Sequence, residues 1–392
     1  MNRLLRSLLC AICLCALLAG IGATVSAEGT GVTLLAASVG KGDALLIKLD
    51  GWVGLIDTGK AVARGKVLSA MAALDVDALD AVFITHTDND HTGGLEWLAH
   101  SDIPVDAFYA SAMYTGVKPK KHPALQAAAV RGEEVTWLSR GDVLALGDTG
   151  AVLEVLAPAT LFTDKDDNNS LVMMLSSPDG RILLTGDMEL PEEAALLSMG
   201  DDLRCDVLKA PNHGDDDTLS GAFISAASPK LAVISTDSQD KPGTPDPGVL
   251  ARLRSAGAQV CVTQDAGLGL RVTLSGGAVD VTALDIPEPV PDGVALASVT
   301  AGDDLVTIRN DGGTRDLTGW YLYSGRGNEL YAFPDGYALE AGRAVTVGTR
   351  SSEAGSYDLL WDDKKVIHPS KRDELILFDP WGRQVDAMDN GR

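Results

Sequence analysis

Thr85-His86-Thr87-Asp88-Asn89-Asp90-His91-Thr92-Gly93-Gly94 is the stretch on which the reading of this chain turns. It follows the apolar run Ala81–Ile84, which is short enough and apolar enough for a buried strand. Two imidazoles and two carboxylates just beyond a strand end are well placed to converge on a cation. The strand fixes where the loop begins, and Gly93-Gly94 lets the backbone turn tightly into a helix. Ordinary loop polarity is a poor account of ligand-type residues in this order.

On both sides of that loop, strands and helices alternate from Gly31 to about Leu284. Val32–Ser38, Ala44–Leu49, Val53–Ile56, Val152–Leu156, Leu171–Leu175, Ile182–Thr185, Val207–Lys209 and Leu231–Ser235 read as short apolar strands bounded by turn residues. Val67–Leu74, Ala124–Val130, Pro191–Met199 and Pro247–Ser255 read as helices, the last two with proline near the start. Many strands with interspersed helices predict an α/β sandwich. Ile286–Asp292 is a proline-punctuated linker. Beyond it the helical signal disappears. Leu305–Arg309, Trp320–Tyr323, Ala344–Val347, Glu374–Phe378 and Gln384–Ala387 predict a small antiparallel β-sandwich. Trp320 and Leu322 lie two apart, so a strand there would turn both toward the core.

The first 27 residues have the pattern of a secretory leader: Arg3 and Arg6, the apolar run Leu8–Ile21, then Val25-Ser26-Ala27 before Glu28. Export is therefore expected, with an uncleaved N-terminal anchor as the alternative. Three of the five cysteines lie in that run. Cys205 and Cys261 remain, as two buried thiols or one bridge. A formal charge of -23 argues against a surface that holds nucleic acid by phosphate neutralisation alone. Bound cations would supply positive charge locally.

The His86–His91 run resembles the H-x-[HD]-x-D-H signature of the metallo-β-lactamase superfamily, in the H-x-D-x-D-H form of the soluble domain of ComEC-type competence proteins. Val39-Gly40-Lys41-Gly42-Asp43-Ala44 resembles V-G-Q-G-D-A, and Leu55-Ile56-Asp57-Thr58-Gly59 matches L-I-D-T-G. Asp167-Asn168-Asn169-Ser170-Leu171-Val172 resembles N-N-x-S-L-V. Leu184-Thr185-Gly186-Asp187 matches L-T-G-D, and Leu208-Lys209-Ala210-Pro211-Asn212-His213-Gly214 resembles L-K-V-x-H-H-G. The resemblance implies an αββα sandwich around one or two divalent ions, Zn²⁺ or Mn²⁺. His86 and Asp88 would hold one metal, Asp90 and His91 the second, with Asp187 as bridging carboxylate and His213 as the late histidine ligand. Asp57 would order the loops, and Asn168, Asn169 or Ser170 would line the site or form a simple turn. Asn212 departs from the first histidine of H-H-G, and Thr244 stands where G-H-P is common; each removes an imidazole.

A cation of this kind lowers the pKa of its bound water to about 7, and the hydroxide attacks phosphorus or carbonyl carbon, with Asp90 orienting it. The Asp88 and Asp90 carboxylates are the candidate catalytic groups. Three functions follow as expectations. The first is a secreted phosphodiesterase or nuclease acting on a phosphoester, extracellular nucleic acid included. The second is a hydrolase of phosphocholine or other cell-wall esters. The third is a binding protein with a degenerate site. His100, His122 and His368 read as surface or packing residues, and Asp164–Asp167 and Asp215–Asp217 as solvated loops. Residues 293–392 resemble the lamin-tail domain through Val306–Gly312, Asp316–Leu322, Phe333–Gly336 and Leu377–Asp386, which implies a binding or spacing module. No integral membrane domain accompanies these motifs.

Overall fold

The structure, a computed structural model, describes residues 31–114, 122–163, 165–287 and 293–392. The leader, Asp164 and most of the proline linker lie outside the described residues. The first region runs β1 (Val32–Ala37), β2 (Leu45–Leu49), β3 (Trp52–Ile56), α1 (Arg64–Ala73), β4 (Ala81–Ile84), α2 (Asn89–Thr92), α3 (Leu95–Ala99), β5 (Phe108–Ser111), α4 (Pro123–Arg131) and β6 (Val135–Leu138). It continues through β7 (Val143–Ala145), β8 (Val152–Ala157), β9 (Val172–Ser177), β10 (Gly180–Leu184), α5 (Leu190–Met199), β11 (Val207–Lys209), α6 (Gly221–Ala227), β12 (Leu231–Ile234), α7 (Pro247–Ser255), β13 (Gln259–Val262), β14 (Gly269–Ser275) and β15 (Ala278–Leu284).

These strands form two sheets, β15-β14-β1-β2-β3-β4-β5-β6 and β13-β12-β11-β10-β9-β8-β7. Period-2 alternation sorts their side chains. Leu34, Phe83, Met173, Ile182 and Val233 meet between the sheets, with Val272 of β14. Leu35, Leu55 and Val82 face the other way, onto Val67 and Met71 of α1 and Leu98 of α3. Leu183, Leu208 and Ala232 likewise pack on Leu196, Phe223 and Leu253 from α5, α6 and α7. The result is the four-layer αββα sandwich that the family resemblance implies. With both faces covered, the central strands are apolar almost throughout, which is why they read as continuous runs.

Parallel pairing decides where the site lies. β3 pairs in parallel with β4, and β10, β11 and β12 pair in parallel in the second sheet. The carboxyl ends of all five therefore emerge along one edge of the sandwich. Ligands in open α/β sheets collect at such an edge because side chains there leave the core while their backbone stays anchored.

The C-terminal region comprises β16 (Val294–Thr300), β17 (Leu305–Asn310), β18 (Arg315–Asp316), β19 (Tyr321–Ser324), β20 (Leu330–Ala332), β21 (Ala338–Leu339), β22 (Ala344–Thr349), β23 (Leu359–Trp361), β24 (Glu374–Phe378) and β25 (Gln384–Asp389). Two four-stranded sheets, β16-β17-β22-β23 and β20-β19-β24-β25, enclose a core that includes Ile308, Trp320, Leu322, Val345 and Leu377. Trp320 and Leu322 are both buried, as their spacing predicts. Tyr321 between them is buried too, because its face of β19 is covered by the first region. Its hydroxyl donates to Val62 O at 2.7 Å, and the Arg64 guanidinium lies 5.8 Å from its ring centre. The C-terminal sandwich thus sits against the start of α1, a few residues after Asp57.

Cys205 and Cys261 are both free, Cys205 buried and Cys261 half-buried, so no bridge joins them and only one of the two thiols is buried. Burial pushes the Cys205 thiol up to about 12, so it is a packing residue and not a nucleophile. No described helix is long and apolar enough to cross a membrane.

Candidate metal centre

Asp57 closes β3 in a left-handed conformation (φ 57°) that short polar side chains tolerate best. Its carboxylate is fully buried and fully used. Oδ1 accepts from Thr85 N at 2.9 Å, and Oδ2 accepts from Thr85 Oγ1 at 2.7 Å and from His91 Nδ1 at 2.7 Å. Donating Nδ1–H leaves His91 Nε2 to face inward. His213 is set the same way, with Nδ1 donating to Ser235 O at 2.7 Å. The two Nε2 atoms stand 3.2 Å apart, and Asp187 Oδ2 lies 3.1 Å from one and 2.9 Å from the other. Asp90 Oδ2 is 3.7 Å from His213 Nε2. Ligand atoms of Asp90, His91, Asp187 and His213 thus lie close enough together to share one ion.

A second group adjoins the first. The His86 and His91 rings are 4.2 Å apart. His86 Nδ1 is 3.1 Å from Thr85 Oγ1 and 3.3 Å from Ser170 Oγ, while its Nε2 is buried with no hydrogen-bond partner among the described residues. Ligand atoms of His86, Asp88 and Asp167 lie within 4.8 Å of one another. Asp88 is exposed and reaches the group from the solvent side.

The loop between β1 and β2 completes the floor. Gly42 has φ 149°, and a Cβ there would stand 2.4 Å from Asp90 O, so only glycine permits this approach. Gly42 delivers Asp43, whose buried carboxylate pairs with the buried Lys209 ammonium. Lys209 also donates to Gly186 O at 3.1 Å and lies 3.7 Å from Asp187 Oδ1. Lys41 places its ammonium 3.0 Å from Asp90 Oδ2 and 4.0 Å from Asp187 Oδ2.

The electrostatics call for positive charge. Burial alone would lower His91, but the Asp187 and Asp57 carboxylates override it and hold the imidazole well above its ordinary range. Burial would raise Asp187, yet His213 and His91 hold it well below the usual carboxylate range. Burial pushes His86 down, and His91 adds to the effect. Burial also lowers His213, although Asp187 opposes it. Asp90 is buried enough to be raised but is lowered by His91, Lys41 and His213. Burial and the Asp187 and Asp88 carboxylates push Asp167 up to about 6. A proton on His91 thus sits among convergent acceptors, where a divalent cation would satisfy the same charge demand. The orphaned, buried His86 Nε2 and Asp187 Oδ1 fit a cation equally well.

Of the residues singled out from sequence, His86, Asp88, Asp90, His91, Asp187 and His213 gather at one edge, with Asp57 and Ser170 against them. The side chains of the other four have partners in the surrounding loops. Asn168 turns away, donating from Nδ2 to Glu189 Oε2 at 2.9 Å and accepting from Glu189 N and Glu192 N. Asn169 bonds both backbone polar groups of Phe162. Asn212 reaches Asp217 at 3.4 Å, and Thr244 bonds Thr236 Oγ1 at 2.9 Å. For Asn168 and Asn169 this is the turn reading of that run. Conversely, the acidic run read as solvated contributes Asp167 to the site, while Asp166 accepts from Thr87 Oγ1 and Tyr114 Oη. Lys41, Asp43 and Lys209 were missed as site residues. Their signal was present, since all three fall inside motifs already matched. His100 is exposed and His122 is buried between the Tyr114 and Trp137 rings, as surface and packing residues should be. His368 accepts from Ser370 N and Lys371 N in a turn.

Residues 37–238, just over half of the chain, match the family described as the metallo-beta-lactamase superfamily. The chain belongs to that superfamily. Curated relatives include ComE operon protein 3 of Bacillus subtilis, 27% identical over 58% of this chain and 31% of that protein. Another is competence protein ComA of Neisseria gonorrhoeae, 28% identical over 63% of this chain and 33% of that protein. The chain therefore spans about a third of the length of these relatives. Among solved structures, Igni18, a metallo hydrolase from Ignicoccus hospitalis, is similar at 20% identity and a TM-score of 0.42, covering 62% of this chain and 99% of that one. Family match, competence-protein relatives and donor set together make this chain a metallo-hydrolase of the superfamily.

Proposed function

We propose that this chain is an exported metal-dependent hydrolase of phosphoester bonds, related in activity to the soluble domain of ComEC-type proteins. The observation that carries this reading is the pair of adjoining donor groups, His86–Asp88–Asp167 and Asp90–His91–Asp187–His213, on one sheet edge. A divalent cation held there supplies Lewis acidity toward a phosphoryl oxygen and acidifies water to a pKa of about 7.

The chain's own residues do the rest. Asp57 and Ser235 O hold the Nδ1 protons of His91 and His213, so both imidazoles present Nε2 inward without reorganising. Asp90, half-buried and tethered by Lys41, is the candidate for orienting water. The Lys41 ammonium offers an anionic substrate the positive charge that Asn212 and Thr244 do not. Carboxylate-rich donors, with imidazoles among them, suit Zn²⁺ or Mn²⁺. In this reading residues 1–27 direct export, residues 28–285 form the hydrolase domain, 286–292 the linker and 293–392 a lamin-tail-like module.

The test is an activity screen on DNA, bis-aryl phosphodiesters, phosphocholine esters and β-lactams, with wild type and Asp90→Ala side by side. Phosphodiester turnover that vanishes in the variant supports the proposal. Turnover confined to phosphocholine esters favours the cell-wall reading, and bound metal without turnover favours a binding protein.

A further inference from the structure

Helix α1 starts without a cap of its own. Its N-cap residue, Ala63, has no side chain that can accept, and Lys60, which opens the single 3-10 turn Ala61–Ala63 before it, makes no capping bond. The first amides of a helix have no partner inside it and need one from outside. Here that partner comes from the C-terminal sandwich. Tyr321 Oη accepts from Gly65 N at 3.4 Å and donates to Val62 O at 2.7 Å. It thus bonds the second helical amide, which an N-cap side chain would otherwise take. Tyr321 is fully buried and Gly65 is buried, so without this hydroxyl the Gly65 amide would be left orphaned.

The contact is shaped for permanence. A Cβ on Gly65 would stand 2.4 Å from Gly382 N, and one on Gly382 (φ 73°) would stand 2.9 Å from Lys66 N. Two backbones approach this closely only where both residues lack a side chain. One turn further along α1, Ser69 Oγ donates to Pro380 O at 3.4 Å. The Tyr321 ring stacks on Phe378 with centroids 4.9 Å apart, and the Arg64 guanidinium lies over it. A module that merely trailed from its linker would have no need of these matched glycines.

The segment that Tyr321 holds begins at the site. Asp57 binds His91 Nδ1, and Thr58 donates to His91 O from N at 2.7 Å and from Oγ1 at 3.0 Å. Gly59 N donates to Asp43 O at 2.7 Å, and Gly59 O accepts from Gly94 N at 3.0 Å. Gly93 lies so close to Ala61 that a Cβ there would stand 2.7 Å from Ala61 N. Residues 57–65 are therefore pinned at one end by the loops of the site and at the other by the C-terminal sandwich. We infer, resting on the metallo-hydrolase reading above, that this sandwich is a built-in part of the hydrolase and that Tyr321 is a positioning residue. By capping α1 it fixes residues 57–65, and through Asp57 and Thr58 it fixes His91.

The experiment compares the whole wild-type chain with three variants, by amide hydrogen exchange and by calorimetric titration of the chelator-stripped proteins with Zn²⁺. Tyr321→Phe keeps the ring and its stacking and removes the hydroxyl. It should speed exchange across residues 58–65 about tenfold, as the loss of one buried hydrogen bond implies. It should also weaken Zn²⁺ about threefold, less than the roughly 10–100-fold expected for groups that hold a ligand directly. Gly382→Ala forces the two backbones apart and should do the same. Ile308→Val trims the sandwich core from the sheet that does not carry Tyr321, and should change neither reading. That control separates positioning from a general loss of stability, and circular dichroism establishes that each variant folds. Unchanged exchange across residues 58–65 in both interface variants would overturn the inference. So would faster exchange with unchanged Zn²⁺ affinity, or the same changes in Ile308→Val. A wild type that takes up no Zn²⁺ would instead overturn the metallo-hydrolase reading.

Discussion

Replacing Lys209 by methionine should destabilise the protein by about 3–5 kcal/mol, the cost of removing one member of a buried ion pair. The ammonium is fully buried at the end of β11 and pairs with Asp43, itself 1% exposed. It also stands 3.7 Å from Asp187 Oδ1 and donates to Gly186 O. Methionine fills most of the same volume, so the loss is electrostatic: the buried Asp43 and Asp187 carboxylates lose their cation, and Gly186 O its donor. For a region of this size the midpoint should fall by roughly 6–20 °C. The double variant Asp43→Asn/Lys209→Met removes charge from both sides and should recover most of the loss, because an ion pair replaced whole costs little. Thermal and urea unfolding followed by circular dichroism measure the cycle. A single variant within about 1 kcal/mol of wild type, or a double variant weaker than the single, would refute the idea that Lys209 neutralises the floor of the site.

Asp57→Asn should leave the turn intact, since asparagine also accepts positive φ, but should weaken divalent-ion binding by about 10–100-fold by loosening His91. Calorimetric titration of Zn²⁺ checks this, and unchanged affinity would deny Asp57 its orienting role. His122 tests a pH effect away from the metal groups. Burial, opposed weakly by Asp166, pushes it down from 6.5 to about 4. Between those values the unfolded chain binds more protons than the folded one, so its contribution is present above pH 6.5 and is lost as pH falls toward 4. His122→Phe should therefore remove about 1–3 kcal/mol of the stability difference between pH 7.5 and pH 5, read from urea midpoints. Equal pH slopes in the two proteins would contradict it.

The local pattern alone was enough to read an α/β sandwich, an all-β C-terminal region and the ligand run His86–His91, while the αββα layering came from the family resemblance. Period-2 runs, turn residues and a dense motif are written in consecutive residues, and consecutive residues are what a sequence shows. Several elements were not legible. Strands such as β5 (Phe108–Ser111) and β6 (Val135–Leu138) are only four residues long and went unread, and they are strands because β5 adds to the edge of β4 and β6 to the edge of β5. Likewise, nothing local says that Tyr321 faces another region of the chain, because that depends on where the start of α1 lies.

At the site, the sequence supplied donor types, and tertiary structure chose among them. Asp187 and His213 are far from His86 along the chain and join it only because β4, β10 and β11 end at one edge. Within Asp167–Ser170 the direction of each side chain depends on which packed neighbour answers it: Glu189 takes Asn168, Phe162 takes Asn169, and the bare His86 nitrogen faces Asp167. The charge of Lys209 is readable from its letter, but its burial against Asp43 is not. Convergence is a property of chain ends brought together in space, and no window of neighbouring residues contains it.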